Sequence, residues 1–313
     1  MIILVLTTLD PADLWLTEVV KILKQTQSTW DVRIWPECGH YDDINIVLAW
    51  WPPLGIIQQL INLQLICSLG AGVDHILRDP HLPHHVPIVR AVYDELPRAM
   101  VEYVLWAILA FKLQITDYQE LQRSHRWQEL PDLQKQPFTV GILGLGAMGA
   151  AVAQSLVTLG LSVRGWSRRA KTLDGVECFH GDMQLNTFLS ECSVIVCLLP
   201  LTSQTQGILS CKLFASLPKG AYLINVGRGQ HLIEDDLVSA LASGQLSGAC
   251  LDVFEPEPLP SNHPFWDHPR IILTPHIACI SQPQLTVRYI ADTITQTEAG
   301  ITPAHIVNRD QGY

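Results

Sequence analysis

Short, continuous apolar runs alternate with longer segments of mixed polarity along most of the chain. This is the pattern of parallel strands buried on both faces and separated by helices. In the first part, Met1–Leu6, Asp31–Trp35, Ile44–Ala49, Leu65–Ser68 and Val86–Arg90 read as strands, punctuated by Pro36, Gly39, Pro52-Pro53, Gly70 and Gly72. Asp10-Pro11 reads as the N-cap and first residue of a helix running to about Lys24. From Glu95 to about Arg126 the pattern is helical, as one long helix or two successive ones. Its apolar residues Val101, Val104, Leu105, Ile108, Leu109 and Phe111 are too many for one stripe, so the segment is expected to be buried on several sides or to pack against another subunit.

A second alternating run follows. Phe138–Leu143 reads as a strand and Ala147–Leu159 as a helix ended by Gly160. Further strands are expected at Leu161–Trp166, Val194–Leu199, Ala221–Val226, Gly248–Phe254 and Ile271–Thr274, six in all. Between them Glu234–Ala242 reads as a helix, with acids in its first turn and Gly244 beyond its end. Six strands separated by helices fit a doubly wound dinucleotide-binding domain. A last helix, from about Ser281 to Glu298, comes after that sheet is complete and is expected to return to the first domain.

Composition narrows the class. The chain has 313 residues, enough for two domains, and 48% of them are hydrophobic. Its 20 basic and 30 acidic residues give a net charge of −10, a poor match to the basic face that nucleic acid requires. The longest apolar stretch, near Val101–Phe111, contains Glu102 and is too short to span a bilayer; Met1–Leu6 has neither the basic flank nor the cleavage site of a signal peptide. The eight cysteines form no C-x-x-C pair and several lie in apolar runs, which fits buried thiols in a reducing cytoplasm. His81, His84 and His85 cluster near Pro83 and Pro87, but no acid or cysteine completes a metal site there at ligand spacing.

The chemistry begins where strand Phe138–Leu143 runs into Gly144-Leu145-Gly146-Ala147-Met148-Gly149. This is G-x-G-x-x-G at a strand-to-helix junction. Gly144 permits the tight turn, Gly146 the approach of a pyrophosphate, and Gly149 close packing of helix and strand. The helix N-terminus, at Ala147 and Met148, offers free N–H groups to phosphates. Strand Leu161–Trp166 then ends in Ser167-Arg168-Arg169, with no carboxylate before Asp174. An acid there would bind ribose hydroxyls and repel a 2′-phosphate, whereas a hydroxyl and two guanidiniums would hold one. NADP(H) is therefore the expected cofactor, with NAD(H) the other possibility.

Three further residues lie at strand ends, where an open α/β sheet binds its ligand: Arg228 in Asn225-Val226-Gly227-Arg228-Gly229, Glu257 in Glu255-Pro256-Glu257-Pro258, and His276 in Thr274-Pro275-His276. With these in view the chain resembles the D-isomer-specific 2-hydroxyacid dehydrogenases, and within them the glyoxylate/hydroxypyruvate reductase A group. The resemblance covers nearly the whole chain. It includes Trp51-Pro52-Pro53, Leu69-Gly70-Ala71-Gly72-Val73-Asp74, the Gly144 fingerprint, Trp166-Ser167-Arg168, Leu198-Leu199-Pro200, the three strand-end sites and the final Gly312-Tyr313.

The resemblance implies two doubly wound α/β domains: a Rossmann dinucleotide-binding domain, residues 96–282, inserted into a flavodoxin-like substrate domain, residues 1–95 plus 283–313. It implies reduction of a 2-keto acid to a 2-hydroxy acid and a homodimer built on Glu95–Arg126; no nucleic-acid, membrane or metal partner is expected, from the charge, hydropathy and ligand spacing above. Arg228, Glu257 and His276 match the family's catalytic residues. A histidine can give a proton near neutral pH, a carboxylate can orient it, and an arginine can bind a carboxylate and polarise a carbonyl. Glu255 rivals Glu257. Gly70, Ala71, Gly72 and Val73 match the substrate-carboxylate loop. Leu199, Pro200, Thr205 and Val226 match the cofactor-lining positions, and Asp252 a position near the nicotinamide amide. Trp50 and Trp51 either wall the substrate pocket or pack under their loop. Two other functions fit the same motifs: a dehydrogenase of a bulkier 2-keto acid, and a nucleotide-sensing binding protein of the same fold.

Overall fold

The computed structural model describes residues 1–8, 10, 13–131 and 137–313. It divides into two compact units, Met1–Asp94 with Ser281–Tyr313, and Glu95–Ile280.

In the first unit the apolar runs form β1 (Ile2–Thr7), β2 (Asp31–Ile34), β3 (Ile46–Trp50), β4 (Leu65–Ser68) and β5 (Ile88–Val89). They lie in the order β2-β1-β3-β4-β5, every pair parallel, which is the flavodoxin-like order. Helix α1 (Leu14–Thr26) lays Leu16, Val19, Val20 and Leu23 on one face of this sheet. The cap expected at Asp10 is corrected: Asp13 is the N-cap, its carboxylate accepting the Leu16 N–H at 2.9 Å, while the Asp10 carbonyl closes the preceding turn on Asp13 N. Pro11 lies outside the described residues. After β4 the chain turns through Gly70–Val73 into a single helical turn, α2 (Asp74–Leu77).

The helical segment of the second unit is two helices, α3 (Leu96–Lys112) and α4 (Ile115–Arg123), bent by 59° at a break where Gln114 is left-handed with φ +53°. No single described helix is long and apolar enough to cross a membrane. Helix α3 buries Met100, Val104, Ala107 and Ile108 in the same core as Val140, Ile142 and Val152. The sheet that follows is built from β6 (Thr139–Leu143), β7 (Ser162–Ser167), β8 (Glu177–His180), β9 (Val194–Cys197), β10 (Ala221–Asn225), β11 (Leu246–Leu251) and β12 (Ile271–Leu273). Between them come α5 (Ala147–Thr158), α6 (Gly181–Leu189), α7 (Cys211–Phe214) and α8 (Glu234–Ser243).

The order is β12-β11-β10-β9-β6-β7-β8, all parallel, so the chain reverses direction across the sheet between β6 and β9. That reversal leaves the crevice in which doubly wound sheets hold dinucleotides. Among the described residues the sheet has seven strands, not the expected six. The additional strand, β8, is short, lies at the edge and buries only Phe179, so it carries no apolar run to betray it. The last helix, α9 (Pro283–Glu298), belongs to the first unit, where Val287, Ile290, Ala291 and Ile294 join the core of α1.

Candidate active site

The fingerprint occupies the turn from β6 into α5, and each glycine has its own constraint. Gly144 has φ +101°, and a Cβ there would sit 2.7 Å from the Leu198 carbonyl oxygen after β9. A Cβ on Gly149 would lie 1.8 Å from the Gly144 carbonyl oxygen, so only glycine lets the turn close on the helix. A Cβ on Gly146 would point into open space. Its bareness serves no internal packing and leaves room for a ligand to reach the backbone. Gly146 is the N-cap, and the first helical bond runs from Ala150 N to Gly146 O, so the Ala147 and Met148 amides lie ahead of the helical ladder. This cradle fits a pyrophosphate.

Beside it, β7 ends at the buried Ser167, whose hydroxyl donates to the Arg169 carbonyl at 2.7 Å and keeps its lone pairs for a donor. Arg168 and Arg169 are exposed, and Arg168 reaches Gln204 at 3.4 Å. Lys171 donates to the Leu145 carbonyl and ties this basic turn to the fingerprint. After β9, Leu199 is buried, and Thr205 folds the loop back by donating to the Pro200 carbonyl at 2.6 Å and accepting from Thr202 N at 2.9 Å. Val226, beyond β10, is buried beside them, its N–H on the Cys197 carbonyl at 3.3 Å.

The strand-end residues converge at the carboxyl end of the same sheet. His276 Nδ1 donates to Glu257 Oε2 at 2.8 Å, and Glu257 Oε1 accepts the Phe254 N–H at 2.9 Å. With Nδ1 held, the proton that His276 can exchange is the one on Nε2. Burial pushes the Glu257 carboxyl up, but the His276 bond and charge, the Phe254 N–H and the Arg228 guanidinium outweigh it and hold the group below its ordinary 4.5. Glu257 is therefore the ionised partner. The rival Glu255 is engaged elsewhere, accepting from Gln230 Nε2 at 2.5 Å. Arg228 opens a 3-10 turn, Gly229–His231, and donates from a guanidinium nitrogen to the Gly227 carbonyl at 2.7 Å. A Cβ on Gly229 would lie 2.1 Å from the Phe254 carbonyl carbon, so the Arg228 turn rests directly on the segment that leads to Glu257.

His276 sits at φ +55°, an uncommon conformation for a residue with a side chain. The buried Asp252 imposes it. Its Oδ1 accepts from the Thr274 hydroxyl at 2.6 Å and Ile277 N at 2.8 Å, and its Oδ2 accepts from Ala278 N at 2.8 Å. Its carbonyl accepts the His276 N–H at 2.8 Å. Within this unit Asp252 is thus the clamp of the histidine loop. Burial raises its pKa, against the pull of Thr274, Ala278, Ile277 and His276.

In the first unit Trp50 ends β3, and its ring lies over Gly70: a Cβ on that glycine would come within 2.7 Å of it. Trp50 also stands 4.7 Å from the His75 ring. Ser68 braces the turn, donating to the Gly72 carbonyl at 2.8 Å and accepting the Gly70 N–H at 3.2 Å, while Ala71 is half-buried and Val73 buried. Trp51, at φ +47°, is exposed. His81 pairs with Asp79 at 3.5 Å, and among the described residues no group of histidine, cysteine and acid is arranged to hold a metal.

The family model for the D-isomer specific 2-hydroxyacid dehydrogenase NAD binding domain matches residues 105–278. A glyoxylate/hydroxypyruvate reductase A from Serratia proteamaculans is 44% identical over 307 residues, 96% of each chain. The chain belongs to the D-isomer-specific 2-hydroxyacid dehydrogenase family. Among solved structures, a family member from Xanthobacter autotrophicus Py2 in complex with NADPH and MES is 36% identical, with a TM-score of 0.91 over 99% of each chain. An NADPH-dependent glyoxylate/hydroxypyruvate reductase from Sinorhizobium meliloti in complex with NADP and sulfate is 34% identical with the same TM-score, covering 100% of this chain and 99% of its own.

Sequence reasoning misses several residues that shape this dehydrogenase's site. The buried Asn225 accepts the Gly227 N–H at 3.2 Å and donates to the Arg228 carbonyl at 3.1 Å. The buried His231 accepts the Arg228 N–H on Nδ1 at 2.9 Å, so its Nε2 carries the proton and faces the Pro200 carbonyl at 3.3 Å. It joins the arginine turn to the cofactor-lining loop. Tyr103, from α3, lies 2.5 Å from the Thr274 hydroxyl and extends the Asp252 clamp. Asn225 lies inside the quoted arginine motif and His231 two residues beyond it, where their spacing from Arg228 is a turn signature; Tyr103 has no local signal at all.

Proposed function

We propose that this dehydrogenase reduces glyoxylate to glycolate and hydroxypyruvate to glycerate with NADPH. The observation that carries the reading is the His276–Glu257 pair at 2.8 Å, at the end of the sheet that also bears the glycine cradle. Bound NADPH supplies the hydride that adds to the keto carbon. Gly144, Gly146, Ala147, Met148 and Gly149 would hold its pyrophosphate, Leu199, Pro200, Thr205 and Val226 would line it, and Ser167, Arg168 and Arg169 would take its 2′-phosphate. His276 gives the keto oxygen its proton from Nε2, and Glu257 steadies the imidazolium before that transfer. Arg228 binds the substrate's carboxylate and polarises its carbonyl. Gly70, Ala71, Gly72 and Val73, with Trp50, are assigned to the substrate.

Loss of NADPH absorbance on adding glyoxylate, then hydroxypyruvate, to the purified chain tests this directly. A larger kcat/KM with a bulkier keto acid would transfer the reading to another substrate. Absence of turnover with tight NADPH binding would make the chain a nucleotide sensor.

The cofactor preference has its own test. Arg168→Ala combined with Arg169→Ala is expected to raise the NADPH KM by about ten- to a hundredfold, the worth of a charge-assisted contact, and to leave the NADH KM nearly unchanged. An unaltered NADPH KM would remove both arginines from the 2′-phosphate.

The proposed assembly is a homodimer on the α3–α4 face. Trp106, Leu109, Leu113 and Ile115 stay exposed there around a groove that Leu105 and Ala110 also line. Apart from Glu102, which also lines the groove, the patch is apolar, and such a patch fits a subunit interface. Light scattering is expected to give twice the chain mass at micromolar concentration, and Trp106→Glu with Leu109→Glu to give a monomer.

A further inference from the structure

Arg90 stands immediately after β5, at the carboxyl end of the first unit's sheet. Strand β5 pairs in parallel with β4, Ile66 opposite Ile88 and Cys67 opposite Val89, so the two chains leave the sheet side by side. They stay joined there, the Ala91 N–H donating to the Gly70 carbonyl at 3.1 Å. On its other side the Arg90 N–H donates to the His305 carbonyl at 3.2 Å. Arg90 is thus built into the rim that carries the Gly70–Val73 turn. Carboxyl ends of parallel strands are where this fold meets its ligands.

The side chain is unusual for a charged group. Its Nε is buried and meets no hydrogen-bond partner among the described residues. The titratable groups whose charge it feels are the phenols of Tyr289 and Tyr313; burial lowers its pKa, and the two phenols pull the other way. The histidine beside it, His305, is itself lowered, by burial first and then by Arg90, with Asp94 opposing. A guanidinium keeps its charge under such burial, and a buried charge is normally paired. Arg164, the arginine that is buried whole, follows that rule and grips Glu177 at 2.7 Å and Glu191 at 2.6 Å, whereas Arg90 is half-buried and its sealed Nε meets no acceptor. The contrast points to an anion from outside the chain.

We propose that Arg90 adds a second cation to the binding of the 2-keto acid's carboxylate, beside the Gly70–Val73 turn. The proposal rests on the reading of the chain as a keto-acid reductase. Ser68 fixes the turn through Gly70 and Gly72, and Trp50 covers Gly70, so the rim is rigid before an anion arrives. Arg90 is then a specificity-determining residue for the anionic end of the substrate, independent of the proton donor and of the cofactor cradle.

The test compares wild type, Arg90→Met and Arg90→Lys as full-length chains. It reads steady-state reduction of glyoxylate with NADPH, and calorimetric binding of oxalate, a dicarboxylate that needs no turnover to be measured. Arg90→Met is expected to raise both the glyoxylate KM and the oxalate Kd by about ten- to a hundredfold, with the NADPH KM unchanged. Arg90→Lys, which keeps a point charge and loses the fork, is expected to fall between and keeps the test open should the methionine variant not fold.

Wild-type turnover with an unchanged glyoxylate KM and oxalate Kd in a folded variant overturns the proposal and leaves the reductase standing. Oxalate binding that depends on Arg90 in a chain with no keto-acid turnover overturns the reductase and leaves the anion site standing. A wild-type chain that neither binds oxalate nor reduces glyoxylate overturns both.

Discussion

His276→Gln is expected to lose on the order of 10²–10⁴-fold in kcat for keto-acid reduction, with the NADPH KM nearly unchanged. Glutamine keeps a polar side chain of similar reach but carries no proton that it can give to an alkoxide. The cradle at Gly144–Gly149 is a separate part of the same sheet end, so binding of the cofactor does not depend on the imidazole. Reduction consumes the proton on Nε2. Glu257→Gln keeps the side chain's length but removes the carboxylate that accepts the ring's Nδ1–H at 2.8 Å, and is expected to lower kcat less than His276→Gln does, leaving some turnover.

Glu257 lies below its ordinary 4.5 in the folded chain, so the pair's contribution to stability is present above that value and fades as pH falls through the depressed one. An unchanged kcat in Glu257→Gln would leave the histidine positioned by no carboxylate, since Glu255 is turned to Gln230.

How legible the molecule is follows from what each part demands of its residues. Strands buried on both faces must be apolar throughout, so β1, β3, β6, β9 and β10 announce themselves as runs. β8 is an edge strand whose residues are half polar, and nothing in its composition separates it from a loop. The fingerprint is readable because backbone geometry permits only glycine at Gly144 and Gly149. Helix ends are less certain, because Asp10 and Asp13 offer the same chemistry and only the path of the chain selects Asp13.

In the candidate site, motifs place Arg228, Glu257 and His276 on strand ends, but choosing Glu257 over Glu255 needs the turn that aims one carboxylate at His276 and the other at Gln230. The contacts of Tyr103 with Thr274 and of Arg164 with Glu177 and Glu191 join residues distant in sequence, and no local pattern encodes them.

Asp252→Asn is expected to lower kcat on the order of 10²-fold, because it loosens the loop that sets His276. The carboxylate accepts from Thr274 and Ile277 on one oxygen and Ala278 on the other, and an amide can satisfy only one of those sides. With the amide oxygen toward Thr274 and Ile277, its NH2 confronts the Ala278 N–H; flipped, it confronts the other two donors. One buried donor left without an acceptor costs about 1–3 kcal/mol.

The full worth of three charge-assisted bonds is not lost, because burial already raises the pKa of Asp252 and a neutral side chain escapes that penalty. The net loss of stability is therefore expected to be about 1–3 kcal/mol, measured by denaturant unfolding. The left-handed backbone at His276, φ +55°, is held from both sides by this carboxylate's neighbours, so freeing Ala278 lets the ring leave Glu257. A clamp predicts lower kcat, lower stability and an unchanged NADPH KM. A carboxylate acting on the nicotinamide amide predicts a raised NADPH KM with stability intact, and the two readouts together decide between them.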